Sequence, residues 1–348
     1  MKQQSEQLIH ATERIFRECV QTNGAITISP DSKLVIPHHA AFVTVAAPFV
    51  GLELAPEFFA WVKKTLENEE NNGALSNAYD WEGKATHSPA RFAPEQNGAM
   101  LWSIDAYIER HPEELAHMKE LVSLLVQGIT QHWKKNGFSR TTNEVWGEHH
   151  HIGAPEMNQR FTYALAACAH GLERAAARYK QRRWKAIAGQ MREHINNAWD
   201  ENKKTFHRAL GKHNDTSIDS LTLGLCWPYH IYEAKEKRMQ AAVERIEEVL
   251  IDGGGVHRFQ YDYHDSEGDA EDGGGIWPAL NFWMSIYFVE QGDEAKARAY
   301  FQWVLERVHE ELPEQMFKDF RIGITPFAWS HALFLLAAHS LKLLPNEA

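Results

Sequence analysis

The chain has 348 residues, of which 44% are hydrophobic and 24% charged, with a formal net charge of −11. That length can bury a substantial core. The acidic balance gives no basic field for nucleic acid or an anionic membrane, so neither is expected as a partner. The richest apolar stretch, "FAWSHALFLLAAHSLKLL", is broken by Ser and His and falls short of a membrane span. The amino terminus fits no signal peptide. Cys19, Cys168 and Cys226 are far apart, odd in number and without CxxC spacing. They read as reduced core thiols, which points to the cytoplasm.

Helical periodicity predicts about twelve helices and almost no strand. In chain order they cover 4–20, 39–50, 55–68, 95–110, 113–135, 158–179, 181–200, 217–231, 235–250, 277–290, 293–310 and 327–343. The connections alternate in length. Short links ("GLEL", "RHP", "YK", "IYEAK", "QGD") follow the even segments. Long links, at about 21–38, 69–94, 136–157, 201–216, 251–276 and 311–326, precede them. Alternation of this kind implies repeated helix hairpins. The even segments, such as "FTYALAACAHGL" and "WPALNFWMSIYF", are apolar on most faces and suit an inner ring. The odd ones, such as "KRMQAAVERIEEVL", carry the charge and suit an outer ring. The expectation is an all-α (α/α)6 barrel, a six-hairpin toroid formed by one domain over 1–348. Its long loops would meet at one mouth, where the inner helices begin. An open helical solenoid is the rival, but no repeat consensus supports it.

The long loops hold the chemistry. The second carries Tyr79, Asp80 and Trp81, and the third carries Glu144, Trp146, Glu148 and the run His149-His150-His151. Arg258 and two glycine runs lie in the fifth, and Glu314 stands in "LPEQ" in the sixth. Aromatic faces stack on pyranose rings and charged groups hydrogen-bond to hydroxyls, so this mouth suits a neutral sugar. Cleavage of a glycosidic bond needs two carboxyls, one to protonate the leaving oxygen and one to activate water or attack. Each residue also has a plain structural reading. Glu314 can cap its helix, and Glu148 can be a solvated loop acid. Adjacent histidines seldom converge on one ion, and no HExxH accompanies them, so no metal is expected. The glycine runs lack GxxxxGK[ST] and a preceding strand, and no cofactor is expected. Trp102, Trp283 and Trp329 fall within helices and read as core, whereas Trp81 and Trp146 fall in loops and suit ligand stacking.

The order of "GGGVHRF", "GGGIWPALNFWMSIYFVEQGDEAKARAYFQWVLE", "LPEQ" and "GITPFAWSHALFLLA" resembles the carboxy-terminal third of glucoamylase-type glycoside hydrolases, family fifteen. "NEVWGE" with "FTYALAACAHGLERAA", and "FAPEQNGAMLWSIDAYIERH", resemble earlier segments of that family. The resemblance implies an (α/α)6 barrel and an inverting, exo-acting α-glucosidase on short α-linked gluco-oligosaccharides or disaccharides. It implies that Glu314 is the general base and that Arg258 and Trp277 bind substrate. Two departures stand out. Gly147 occupies the place of the family's acid, leaving Glu148 beside it as candidate and Glu144 as reserve. His38 and His39 replace an Arg-Asp pair that grips the terminal sugar. Those departures keep two rivals open: a sugar-binding or regulatory protein on the same barrel, and another sugar-active (α/α)6 enzyme such as an unsaturated-uronide hydrolase or an epimerase.

Overall fold

The computed structural model describes residues 2–68, 72–86, 92–139, 142, 144–146, 160–262, 274–317 and 323–344. Eleven α-helices fall among them: α1 (Lys2–Cys19), α2 (Pro37–Ala46), α3 (Ala55–Asn68), α4 (Pro94–Arg110), α5 (Lys119–Thr130), α6 (Thr162–Tyr179), α7 (Arg182–Asn197), α8 (Lys237–Val249), α9 (Pro278–Gln291), α10 (Glu294–Leu305) and α11 (Ala328–Ser340). The described strands are two residues long. None of the described helices is long and apolar enough to cross a membrane.

Two predicted segments differ. The eighth, 217–231, is only a 3-10 helix over Ser220–Leu225. Pro228 has no N–H to donate, and its ring blocks the carbonyl four residues back. Gly224 also packs flush on Tyr163, where a Cβ would lie 2.4 Å from the ring. The fifth, 113–135, splits into a 3-10 turn at Pro112–Leu115, α5, and a hairpin pairing Trp133–Lys134 with Gly137–Phe138.

The inner ring closes. Helix α2 packs on α4, α4 on α6, α6 on the 220–225 turn, that turn on α9, α9 on α11, and α11 back on α2. Nearly every residue of α2, and all of α11 from Ala328 to Ala338, is buried. The outer helices bury one stripe only. In α8 this is Met239, Ala242, Val243 and Ile246, at the i, i+3, i+4, i+7 spacing of an amphipathic helix. One continuous hydrophobic core runs from Leu8 to Leu341.

Helices α2, α4 and α9 start with proline in the first turn. The missing N–H costs nothing there, and the fixed φ favours helix entry. The long loops in front of them are joined by short backbone pairings: 34–35 with 79–80, 160–161 with 209–210, Asp219 with Phe259, and Ile276 with Met316. Ala328 N–H donates to Ile28 O at 2.9 Å and ties the sixth loop to the first.

One device recurs. "PEQN" opens α4 and "PALN" opens α9. Asn97 accepts from Leu75 N–H (2.9 Å) and donates to Gly73 O and Leu125 O. Asn281 accepts from Val256 N–H (3.0 Å) and donates to Gly254 O (2.9 Å). Each buried amide satisfies backbone groups of the loop that precedes its helix. Replacing Asn281 by Ala strands both groups, and we expect a loss of about 2–3 kcal/mol in urea unfolding. Arg14→Ala, at an exposed ion pair with Glu18 and Glu311, should change stability by less than about 1 kcal/mol.

Candidate active site

The mouth-side ends of the inner helices bring an aromatic cluster together. Trp277 is the N-cap of α9, and Phe327 the N-cap of α11, with Trp329 one residue into that helix. His39, in the first turn of α2, stacks on Trp329 at 4.5 Å and 7°, and meets Phe327 edge-on at 5.4 Å. Trp146 lies 5.2 Å from Trp277 and 6.1 Å from Trp329. The Arg258 guanidinium lies 5.2 Å from each of the Trp146 and Trp277 rings. It donates to Asp262 at 2.8 and 2.6 Å, which fixes its plane.

Five nitrogens of this cluster are buried with no hydrogen-bond partner among the described residues: Nε1 of Trp146, Trp277 and Trp329, and both ring nitrogens of His39. An unpaired buried polar group is costly, so several within one set of touching rings mark a place where water or a ligand can pair with them. Burial pushes His39 down to about 3, so its imidazole is neutral and presents one donor and one acceptor.

Glu314 is half-buried in the sixth loop. Side chains of the helix that follows hold this loop. Ser330 donates to Pro313 O (2.8 Å), and Leu312 N–H donates to His331 Nε2 (2.9 Å). Met316 exchanges two 2.7 Å backbone bonds with Ile276. The Glu314 stretch thereby runs beside the loop that delivers Trp277. A glutamate before an inner helix is here part of a braced loop, which capping alone does not explain.

The other predicted residues are placed differently. Glu144 is buried and bound to Arg208, whose guanidinium also meets Asp219 at 3.3 Å and Asp215 at 3.7 Å. Burial, reinforced by Glu144 and against the pull of Arg208, pushes Asp219 up to about 7. His38 is also buried, its Nε2 2.5 Å from Tyr163 Oη, which lies 3.1 Å from Tyr229 Oη. Trp81 stands apart. Its ring faces Lys33 at 5.4 Å, and its carbonyl accepts from Trp61 and Asn23. Glu148, Gly147 and the His149-His150-His151 run lie outside the described residues. Among the described residues no group of three His, Cys, Asp or Glu is arranged to hold a metal.

Two residues of the mouth escape sequence reasoning. Trp329 is buried, as a core residue should be, yet it is also the plate on which His39 lies. Its signal is position: an aromatic two residues past an inner-helix N-cap lies at the mouth-side end of the ring. Glu95, second in α4, looks like an ordinary first-turn acid. It is fully buried, with Oε2 unpartnered among the described residues.

No protein-family model matches the sequence. The chain is 23% identical over 349 aligned positions to an uncharacterised glycosyl hydrolase of Methanocaldococcus jannaschii, covering 91% of this chain and 53% of that one. The chain thus spans about half of that relative's length. It is 23% identical over 298 positions to the isomaltose glucohydrolase of Kribbella flavida, covering 81% of this chain and 73% of the relative. Its structure superposes on a wild-type glycosidase with a TM-score of 0.81 at 20% identity, over 99% and 98% of the two chains. A bacterial glucoamylase solved with acarbose gives 0.75 at 16% identity, over 97% of this chain and 55% of that one. The fold is therefore the all-α six-hairpin barrel of glucoamylases.

Burial pushes Glu95 up to about 8, with the charge of Glu144 adding to the effect. A carboxyl with a raised folded-state pKa binds more protons folded than unfolded between its two values. Stability therefore falls as pH rises from about 4.5 to about 8. Glu95→Gln should abolish that contribution, worth on the order of a few kcal/mol. Melting temperature against pH, wild type beside variant, reads the difference.

Proposed function

We propose that the protein is an inverting, exo-acting glycoside hydrolase that removes an α-linked glucosyl unit from the non-reducing end of a disaccharide or short oligosaccharide. The observation that carries this is the set of unpartnered buried nitrogens on touching aromatic rings around Arg258. A pyranose offers apolar faces for the rings and hydroxyls for the nitrogens. The six-hairpin fold and the relatives described above, one of them an isomaltose glucohydrolase, support the same reading.

Glu314, ionised, takes a proton from water as the water oxygen bonds to the anomeric carbon. The bond to the leaving oxygen breaks on the opposite face, and an acid returns a proton to that oxygen. Products are the free alcohol and a sugar of inverted configuration. A general acid must hold its proton, and pairing with a guanidinium favours the ionised form. Glu144, committed to Arg208, is unsuited, and the role falls to Glu148. Inversion asks for a carboxyl separation of roughly 6.5–9.5 Å. The buried free thiols Cys19, Cys168 and Cys226 suit a reducing compartment such as the cytoplasm.

Screening isomaltose, maltose, trehalose, kojibiose and nigerose for released glucose tests the activity. Proton NMR of the fresh product should show β-glucose first. Glu314→Gln should lower kcat by about 10²–10⁴ while sugar binding persists. Initial α-glucose, or a variant as fast as wild type, would sink the mechanism. Gly147 at the expected acid position favours a second reading, a sugar-binding protein, in which wild type binds glucose yet releases none.

A further inference from the structure

Helix α1 packs on α11. Its buried stripe includes Leu8, Thr12, Ile15, Phe16 and Cys19, at the spacing of one helix face. Thr12 puts a hydroxyl where a valine would fill the same space, and burying a hydroxyl costs free energy unless it is paired. Here the pairing is complete. Thr12 Oγ1 donates to Leu8 O at 2.7 Å and lies 2.7 Å from Nδ1 of His331, in the first turn of α11. The far side of that ring, Nε2, accepts from Leu312 N–H at 2.9 Å. Leu312 stands two residues before Glu314.

The two ends of this chain of bonds fix its polarity. Leu8 O can only accept, so the Thr12 proton is committed to it and a Thr12 lone pair faces Nδ1. Leu312 N–H can only donate, so Nε2 carries no proton. The single proton of a neutral imidazole therefore sits on Nδ1 and points at Thr12. Burial, with the charge of Arg14 adding to it, pushes His331 down to about 3, so the ring stays neutral. An imidazole is nearly symmetric in outline. Without an acceptor opposite Nδ1–H, the tautomer with its proton on Nε2 serves as well, and so does a ring turned over about its Cβ–Cγ bond. Either one withdraws the acceptor from Leu312 N–H. Leu312 O accepts from Phe327 N–H (2.8 Å) and Pro313 O from Ser330, so the His331 bond completes the hold of α11 on the stretch that enters Glu314.

We propose that Thr12 is a positioning residue for Glu314: by holding His331 in one tautomer and one orientation, it makes the outer helix α1 set where the general base stands. This rests on the hydrolase reading and adds to it a fully buried residue, remote in sequence, on which the base depends. Thr12→Val keeps the shape and removes the hydroxyl, and Thr12→Ser keeps the hydroxyl. A second pair probes the ring. His331→Gln carries an amide oxygen out to the reach of Nε2, whereas His331→Asn ends near Nδ1 and leaves Leu312 N–H without its acceptor.

Steady-state kinetics on whichever disaccharide of the screened set wild type cleaves reads the effect. Thr12→Val should lower kcat by about tenfold to a hundredfold, the scale of a small misplacement of a reacting group, with KM held within about twofold. Thr12→Ser should recover kcat to within about threefold of wild type, and His331→Gln should exceed His331→Asn by about tenfold. In a Glu314→Gln background, Thr12→Val should change the residual kcat by less than about twofold, because a residue acting through the carboxylate has nothing left to act on. Wild-type kcat in Thr12→Val overturns the proposal. So does an equal fractional loss with and without the Glu314 carboxylate, since the hydroxyl would then serve the fold alone. Where Thr12→Val does not fold, equal kcat in the two His331 variants overturns it. No cleavage by wild type, or a Glu314→Gln variant as fast as wild type, overturns the hydrolase reading itself and the positioning role with it.

Discussion

A ring of helices apolar on most faces holds polar side chains at least cost at its ends. The inner ring of this protein gathers most of its buried polar side chains there, while Thr44, Ser103, Asp105 and Ser285 lie deeper, Thr44 and Ser103 bonded to each other at 2.7 Å. His38 and His39 sit in the first turn of α2, Glu95, Gln96 and Asn97 in that of α4, Asn281 in that of α9, and Ser330 and His331 in that of α11. First-turn N–H groups lack intrahelical partners, and the positive end of each helix dipole lies there. Polar side chains are thus least costly where the ring begins. The braced loops, the asparagine anchors and the aromatic cluster all follow from this one asymmetry.

Burial then decides which of those groups carry charge. It drives His39 and His331 down to about 3 and Glu95 up to about 8, so all three are neutral at pH 7. His38 is likewise pushed down, chiefly by burial and also by His39. The buried guanidinium groups sit in partnered sets: Arg258 with Asp262, and Arg208 with Glu144, Asp215 and Asp219. Apart from Glu314, the groups around the aromatic cluster are neutral donors and acceptors and one carboxylate-braced guanidinium, a set that under the proposed reading suits an uncharged polyol better than an anion. His38 and His39, at the positions where the glucoamylase pattern is expected to carry an Arg-Asp pair, are both buried and both pushed toward the neutral form.

The ring was legible because its two signals are long-range and redundant: helical periodicity and the alternation of loop lengths. Each failed element has a local cause. Pro228 and Gly224 cut the eighth helix short, though the surrounding "LTLGLC" is apolar enough to pass as helix. Trp81 looks like Trp146 in sequence, since both are loop tryptophans among acids. Only the fold shows that Trp146 reaches Arg258 while Trp81 faces Lys33. Glu95 was hidden for the opposite reason. A first-turn acid is ordinary in sequence, and its burial follows from the packing of α4 within the inner ring, between α2 and α6, which no local pattern encodes.

Phe259 shows how the two arginine sets are joined. Arg208 lies 3.7 Å over its ring and Arg258 5.3 Å from it. Its backbone bridges Asp219, which itself contacts Arg208. The third loop is therefore clamped twice, through Glu144 to Arg208 and through Trp146 to Arg258, and both clamps close on one phenylalanine. Buried ion pairs contribute little net stability against apolar alternatives, yet breaking one is costly, so they hold geometry better than they add free energy. That is the task here: Arg208 fixes the loop that brings Trp146 to Arg258, and any chemistry at the cluster depends on that register.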